Sequence, residues 1–225
     1  MTLNIYESLE QGSDEWLAAR CGILTASQIG KLITPTLKVA SNDTSRGLTA
    51  SLVAERVTGL VDDVYVTADM ERGTLDEPYA RGIYAANFAP VDQVGFMVRE
   101  IDGKPLGFSP DGLVADDGLI EIKSRKQKVQ LATIINDAVP AENMAQIQTG
   151  LLVSGRDWCD YVSYCGGMPL YVTRVYPLLA WAEVIVAALA DFETNAAQMI
   201  ATYNTATKTM PATVRVDHEL EMSFS

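Results

Sequence analysis

The stretch SPDGLVADDGLIEIKS (residues 109–124) has the pattern of two short strands joined by an acidic turn. The DDG sequence at 116–118 is a turn signal, and the segment after it alternates in the way a β-strand does. Glu121 and Lys123 are two positions apart on that strand, so both project from the same face. The turn brings Asp111, at the end of the preceding strand, back beside them. We therefore expect two carboxylates and a lysine to converge at one point.

These three side chains suit a metal site that hydrolyses a phosphodiester bond. Carboxylate oxygens are the ligands that Mg²⁺ and Mn²⁺ prefer. Such an ion neutralises charge on the scissile phosphate and activates water, and a second ion stabilises the leaving oxygen. Lys123 is predicted to hold or deprotonate the water, and the backbone carbonyl of Ile122 is a candidate ligand on the same edge. On spacing alone, however, an ordinary hairpin with a Glu–Lys ion pair is the better interpretation.

The composition is typical of a single globular domain. The chain has 225 residues, of which 48% are apolar, and no apolar run reaches the ~18 residues of a membrane-spanning helix. The start of the chain is polar and acidic rather than basic and apolar, so a secretory signal is not expected. Three widely spaced cysteines form no CxxC pair, which favours a reducing cytoplasm over a disulfide or zinc scaffold. We assign residues 1–205 to one domain and 206–225 to a C-terminal tail or interface arm.

The net charge of −12 weighs against a nucleic-acid partner, because an acidic surface repels a phosphate backbone. Two arrangements would remove the conflict. Basic residues could be gathered on one face, or bound divalent cations could neutralise a cluster of acids. The densest basic run is Lys123, Arg125, Lys126 and Lys128, which suits either a solvated loop or a contact with the DNA backbone.

The periodicity predicts helices followed by a hairpin sheet, a helix, two strands and a long final helix. The N-terminal third is read as helical, with Ser13 as a helix cap and a second helix starting at Thr25 or Ser27. This order predicts an α/β (α+β) fold with a mixed central β-sheet flanked by helices. The predicted helices cover about 14–20, 28–33, 44–57, 70–87, 142–154 and 178–203, and the strands about 94–98, 106–108, 112–114, 119–123, 158–165 and 170–176.

Polar residues outside the hairpin favour the metal site over an ordinary hairpin with a Glu–Lys ion pair. Glu77 lies within the predicted helix 70–87, Gln146 lies on another helix, and Arg20 precedes a helix start. Pro78 follows Glu77, and a proline inside a helix costs about 3 kcal/mol. That cost favours a helix that begins near Glu77. The single histidine, His218, lies in the tail and is read as a surface residue, which removes histidine-based mechanisms from consideration.

Five motifs in order make the chain similar to a known family. It resembles the phage lambda exonuclease family, the YqaJ-type viral recombinases, within the PD-(D/E)xK nucleases. The resemblance covers about residues 10–160 and implies a restriction-endonuclease-like core. The matching stretches are WLAARCGILTAS (16–27), RGTLDE (72–77), SPDG (109–112), LIEIKS (119–124) and MAQIQ (144–148).

The resemblance implies a catalytic role for each of five side chains. Asp111 and Glu121 would be metal ligands together with Ile122, and Lys123 would be the catalytic lysine. Glu77 would complete the metal and water shell. Gln146 would orient the nucleophile or the substrate phosphate.

A second group, which we call the phosphate pocket, comprises Arg20, Thr25, Ser27 and Ser109. The resemblance implies that it binds the 5′-terminal phosphate of DNA. An arginine fork and hydroxyl groups near a helix N-terminus have the chemistry of a phosphate site.

The activity implied is metal-dependent 5′-to-3′ digestion of double-stranded DNA, which leaves 3′ single strands for recombination by strand annealing. The cofactor would be Mg²⁺, or Mn²⁺ in its place, with two ions. The expected partners are duplex DNA with a 5′-phosphorylated end, two further copies in a homotrimeric ring, and a single-strand annealing protein, in the cytoplasm of a bacterial host and without a membrane. Two alternatives are another PD-(D/E)xK endonuclease, structure-specific or restriction-like, and a non-catalytic DNA-binding subunit.

Overall fold

The computed structural model describes residues 2–62 and 66–215, and within them the predicted helices and strands follow one another in the predicted order. The fold class is confirmed as mixed α/β, and each predicted helix and strand has a counterpart. The helices are α1 Asp14–Arg20, α2 Ala26–Ile29, α3 Asp43–Thr58, α4 Ala68–Asn87, α5 Gln127–Asn136, α6 Ala141–Ser154 and α7 Leu179–Ala206. The strands are β1 Leu3–Tyr6, β2 Leu24–Thr25, β3 Phe96–Ile101, β4 Lys104–Phe108, β5 Gly112–Val114, β6 Gly118–Ser124, β7 Trp158–Tyr164 and β8 Tyr171–Val175.

The strands form two four-stranded sheets rather than the one central sheet expected. The first has the order β1-β3-β4-β2 and the second the order β5-β6-β7-β8. In the second sheet, β6 and β7 are parallel and pair Glu121 with Tyr161, whereas β5 and β8 are antiparallel edge strands. The chain leaves the first sheet after Phe108 and enters the second at Gly112, so Asp111 lies at the junction between the two.

Strand β6 is buried on both faces. On one face, Ile120 and Ile122 pack against Ala80 and Tyr84 of α4. On the other face, the neighbours belong to the main core, which α6 and α7 cover. Glu121 points to this second face and has no solvent-exposed surface, so an ionisable group has been placed inside the protein.

Helix α4 is continuous, and the expectation that a helix begins near Glu77 is wrong. The helix starts at Ala68 behind the cap Thr67, whose side chain accepts a hydrogen bond from Met70 N, and Pro78 lies inside it. Ala80 and Tyr84 are buried against the second sheet. Helix stability in proteins comes mainly from such packing, which here outweighs the cost of the proline. Glu77 therefore lies at mid-helix.

Three elements were not predicted: β1, β2 and α5. Strand β1 is mostly exposed at the edge of its sheet, and β2 has two residues that pair in parallel with β4. Helix α5 begins within the basic run, so Lys128 lies on a helix. His218 and residues 216–225 of the proposed tail lie outside the described residues.

Helix α7 is long and apolar enough to span a bilayer by length and composition alone. It packs, however, on the core through Ile185, Leu189 and Phe192, each at most 1% exposed. The apolar residues of this helix therefore pack on the core, and the helix is not a convincing membrane span.

Candidate active site

Asp111, Glu121 and Lys123 converge as predicted. Nζ of Lys123 lies 2.6 Å from Oε1 of Glu121. The backbone N–H of Ile122 donates to Oδ2 of Asp111 at 2.6 Å, so the junction residue is fixed directly against β6. Strand β5 pairs with β6 only as far as Ile120, which leaves the next part of that edge open. Because the N–H and C=O of one strand residue point to the same side, the carbonyl of Ile122 faces the side of Asp111.

The polar groups at this point fit a divalent cation. Both carboxylate oxygens of Glu121 are buried: Oε1 lies 2.6 Å from the ammonium group of Lys123, whereas Oε2 has no partner among the described residues. Buried polar atoms normally have a partner, and an oxygen-seeking cation would supply one. Within the described ranges, no three Asp, Glu, His or Cys side chains are grouped as a metal cluster. The ligand set would therefore need Asp111, Glu121, the carbonyl of Ile122 and water.

Burial raises the pKa values of the acids. It raises the pKa of Glu121 to about 7 and that of Asp111 above its ordinary value, and Lys123 lowers both in part. The pKa of Glu77 rises to about 6, mainly through burial and also through the charge of Asp111. For Lys123, burial lowers the pKa, but the two neighbouring carboxylates outweigh it and the net direction is upward. A positive lysine beside carboxylates that are costly to ionise is the electrostatic state of a site prepared for a cation.

Glu77 approaches the site from α4 but is held by an arginine. Oε1 of Glu77 accepts a hydrogen bond from Nη2 of Arg81, one helical turn further on. Nε of the same arginine donates to the backbone carbonyl of Asp111 at 2.8 Å. Arg81 thus ties the helix acid to the junction residue. Sequence reasoning missed it, although an acid and an arginine four residues apart on a helix are a recognised pairing signal.

Gln146 reaches the same point from α6. Its Oε1 accepts a hydrogen bond from Nζ of Lys123 at 3.1 Å. The lysine is therefore held between Glu121 of its own strand and a neutral amide of a helix. The five predicted catalytic side chains come from α4, the β4–β5 junction, β6 and α6; Glu77 is linked to the others through Arg81.

The phosphate pocket is also assembled, and it opens onto Asp111 and Gln146. A cavity of about 170 Å³ contains all four of its predicted members together with Asp111 and Gln146. A larger groove of about 1110 Å³ between α3 and α7 contains none of the predicted site residues. The smaller cavity is therefore the one relevant to the chemistry, and it is lined by Gln11, Trp16, Arg20, Thr25, Ala26, Ser27, Phe108, Ser109, Asp111 and Gln146.

Trp16 builds one wall of the phosphate pocket, and sequence reasoning gave it no role. The guanidinium of Arg20 stacks 3.9 Å from the centre of the Trp16 ring, and Nε1 of the tryptophan donates to Oγ of Ser109 at 3.1 Å. Arg20 Nη2 reaches Oγ1 of Thr25 at 3.5 Å, while Oγ of Ser27 lies 3.2 Å from the same oxygen. Nε of Arg20 is buried and has no hydrogen-bond partner among the described residues. Donors thus remain for a ligand.

The fold, the acid–lysine centre and the phosphate pocket can now be compared with known proteins. The model of the YqaJ-like viral recombinase domain matches residues 15–157, which is more than half of the chain. The chain belongs to the YqaJ-like viral recombinase family. The matched range contains all nine side chains predicted to be functional, and the family resemblance stated from the motifs is confirmed. No curated protein sequence matches the chain.

Solved structures similar to this YqaJ-family chain include exonucleases. An alkaline exonuclease, LHK-Exo, from Laribacter hongkongensis is 32% identical and superposes with a TM-score of 0.78 over 88% of this chain and 100% of its own. LHK-Exo in complex with dAMP is 31% identical, with a TM-score of 0.74 and the same coverage. A phage-related exonuclease from Haemophilus somnus, 12% identical with a TM-score of 0.59 over 80% of this chain and 96% of its own, shares the fold. The family and the two LHK-Exo structures support an exonuclease role in recombination.

The basic run of this YqaJ-family chain is divided among different tasks. Lys123 belongs to the acid centre. Nη2 of Arg125 donates to Oδ1 of Asn143 and to the hydroxyl of Tyr161, and Nζ of Lys126 lies 2.9 Å from a carboxylate oxygen of Asp69. Arg125 therefore ties β6 to α6. The contact of this run with a DNA backbone stays a prediction.

Proposed function

We propose that the protein is a metal-dependent exonuclease that digests double-stranded DNA in the 5′-to-3′ direction. The observation that carries the proposal is the single cavity in which the phosphate pocket adjoins Asp111 and Gln146. A terminal phosphate bound by Arg20 would place the next phosphodiester beside the acids. Such a site recognises an end rather than an internal stretch of duplex, and the product would be a 3′ single strand for recombination by strand annealing.

The residues divide the work between binding and hydrolysis. Asp111, Glu121 and the carbonyl of Ile122 would hold two Mg²⁺ ions, for which Mn²⁺ can substitute, and Glu77 would complete the metal and water shell. When bound, such ions neutralise the scissile phosphate and lower the pKa of water. Lys123 holds the attacking water through its ammonium group, which Gln146 keeps in place.

The 5′ end is held by the phosphate pocket. Arg20 has a planar fork of N–H donors, the group best suited to a phosphate, and Thr25, Ser27 and Ser109 add hydroxyl donors around it. LHK-Exo has been solved with dAMP, a nucleotide of the class that an exonuclease releases. This supports a nucleotide-sized site in the family fold. A homotrimeric ring around DNA and a single-strand annealing protein complete the proposal.

The test uses linear duplexes labelled at the 5′ or the 3′ end, with Mg²⁺ or with EDTA. We expect early release of the 5′ label, no release in EDTA, and no cutting of a covalently closed circle. Early release of the 3′ label would refute the polarity. Cutting of the circle would instead identify an endonuclease.

The same assay tests the phosphate pocket. Linear DNA with a 5′-phosphate should be digested faster than DNA with a 5′-hydroxyl, and Arg20→Ala should abolish the difference. Equal rates on the two ends in the unaltered protein would refute the pocket, while metal-dependent digestion would still support the nuclease centre.

A further inference from the structure

A tight turn connects the two halves of the phosphate pocket. Arg20 ends α1, Thr25 caps α2, and the turn between them contains Gly22. Gly22 has a positive φ of +68°, and a Cβ at this position would lie 2.3 Å from Cγ of Arg56. The side chain of Arg56, which belongs to α3, is thus packed directly on the turn. The conformation of this turn fixes how far Arg20 lies from the hydroxyl groups.

Two consecutive residues at the end of α3 hold both polar groups of Gly22. The N–H of Gly22 donates to Oε2 of Glu55 at 2.7 Å. The carbonyl of Gly22 accepts from Nε of Arg56 at 2.7 Å. One charged partner on each side of a single residue leaves the turn little freedom, because hydrogen bonds to charged groups are shorter and stronger than neutral ones.

Arg56 is itself fixed from the C-terminal helix. Its Nη1 and Nη2 donate to the two carboxylate oxygens of Glu193 in α7 at 2.7 and 2.6 Å. Both side chains are largely buried, at 22% and 17% exposed, and the guanidinium lies 5.1 Å from the centre of the Phe192 ring. A bidentate pair of this kind has a defined geometry, so α7 sets the position of Arg56 and through it the position of the turn.

We infer that Glu55, Arg56 and Glu193 are positioning residues that set the preference for a 5′-phosphorylated end. They lie outside the cavity and touch neither the acids nor the substrate. They act through Gly22, which sets the spacing between Arg20 and the hydroxyls of α2. Glu55 also interacts electrostatically with Arg20 itself, so the test uses Arg56 and Glu193. This inference rests on the proposed phosphate pocket. A shift of about 1 Å in a binding group is enough to lower a rate by two orders of magnitude.

The test compares initial rates on linear duplexes that carry a 5′-phosphate or a 5′-hydroxyl, at saturating Mg²⁺. In Arg56→Met and Glu193→Gln, the ratio of the two rates should fall at least about tenfold. The fall should come from the phosphorylated end, with the rate on the hydroxyl end retained. Arg56→Lys keeps a donor for Gly22 and should recover part of the ratio.

Arg99 provides the matched control. It is another partly buried arginine, and its Nε donates to the carbonyl of Val153 at 2.6 Å. Arg99→Met loses a comparable tie between elements, away from the turn, and should keep the wild-type ratio. Circular dichroism melts establish which variants are folded. If Arg56→Met does not fold, the result for Glu193→Gln decides the test. This variant keeps Arg56 and replaces one carboxylate oxygen of Glu193 with an amide nitrogen.

Three results would overturn the inference. One is a wild-type ratio in folded Arg56→Met and Glu193→Gln. Another is an equal fall in Arg99→Met, which would indicate general loosening. The third is an unaltered protein with no preference for a phosphorylated end, which would refute the phosphate pocket as well, whereas the first two leave that pocket intact.

Discussion

Lys123 donates a hydrogen bond to Gln146, with Nζ 3.1 Å from Oε1, and this bond joins β6, an inner strand of the second sheet, to α6. The lysine is also 2.6 Å from Glu121. Its ammonium group therefore contacts one charged and one neutral side chain directly. The neutral neighbour fixes the direction of the lysine without adding a further negative charge to a site that already has several.

Replacing the lysine should remove the chemistry and spare the fold. In Lys123→Met, the single-turnover rate on 5′-phosphorylated duplex should fall about 10²–10³-fold, the usual effect of losing one preorganised donor at the reacting centre. DNA binding, measured by fluorescence anisotropy in Ca²⁺, should be retained. Lys104→Met is the control, since Lys104 contacts the Asp102 carbonyl in a hairpin turn. A Lys123→Met rate close to wild type would disprove the role.

Gln146 should affect the turnover number more than the apparent affinity for DNA. Gln146→Leu removes the acceptor that holds Lys123, and we expect kcat to fall about tenfold to a hundredfold, equivalent to one hydrogen bond to a charged group. KM should change little. Gln148→Leu is the control that distinguishes a loss of catalysis from a loss of stability. Gln148 is buried and bonds the backbone at Tyr176 and Leu178, so its loss should lower the melting temperature and leave kcat unchanged below it.

The sequence predicted the acid–lysine centre well because its geometry is local. Glu121 and Lys123 share a face by strand periodicity, and a short turn returns Asp111 to them, as found. The phosphate pocket is different. Trp16 and Ser109 are 93 residues apart in sequence, and no local pattern relates them. The resemblance to a family supplied the residues of that pocket, and their meeting in one cavity is visible in the structure alone.

Helix α5 was not predicted because it buries polar side chains and exposes apolar ones, the reverse of the usual amphipathic pattern. Its residues Gln130 and Thr133 are buried, whereas Leu131 and Ile135 are 51% and 71% exposed. The amide of Gln130 bonds the backbone at Ser163 and Pro169, which satisfies it inside the protein. An apolar stripe predicts a helix only when the apolar face is the buried one. Here hydrogen bonds rather than apolar contact attach the helix to the sheet.

The metal-free protein should become less stable as the pH rises. Burial raises the pKa of Glu121 to about 7 from an ordinary value of 4.5, and that of Glu77 to about 6. A carboxyl whose pKa is raised by folding stabilises the folded state below its unfolded pKa. That contribution is lost as the pH passes through the folded value. In EDTA, the melting temperature should therefore fall between about pH 5 and pH 8.

Divalent cations should reverse this trend, since they bind the ionised carboxylates. The increase in melting temperature that Ca²⁺ gives over EDTA should grow as the pH rises through 7, and the rate at limiting Mg²⁺ should rise over the same range. Glu121→Gln cannot ionise and should have a flatter pH dependence in EDTA. An equal effect of Ca²⁺ at both ends of the range would contradict the assignment of a buried acid centre.

Gly150 allows α6 to approach β4 closely, and substituting it should affect both stability and rate. A Cβ at Gly150 would lie 2.7 Å from Cζ of Phe108, a ring that is 1% exposed and has no room to move. Overpacking of this kind costs about 1–3 kcal/mol, which exceeds the gain of about 0.5–1 kcal/mol from replacing a helical glycine with alanine. Gly150→Ala should therefore lower the free energy of unfolding in urea. Gln146 lies one turn earlier on the same face, so kcat should fall too.

Gly82→Ala in α4 is the matched control for Gly150→Ala. A Cβ at Gly82 would meet nothing within 4 Å, so the helical gain is unopposed and this variant should be about 0.5–1 kcal/mol more stable than wild type. Opposite signs for the two substitutions would identify the contact with Phe108 as the cause. If Gly150→Ala were as stable and as active as Gly82→Ala, the close approach of α6 to β4 would not be what positions Gln146.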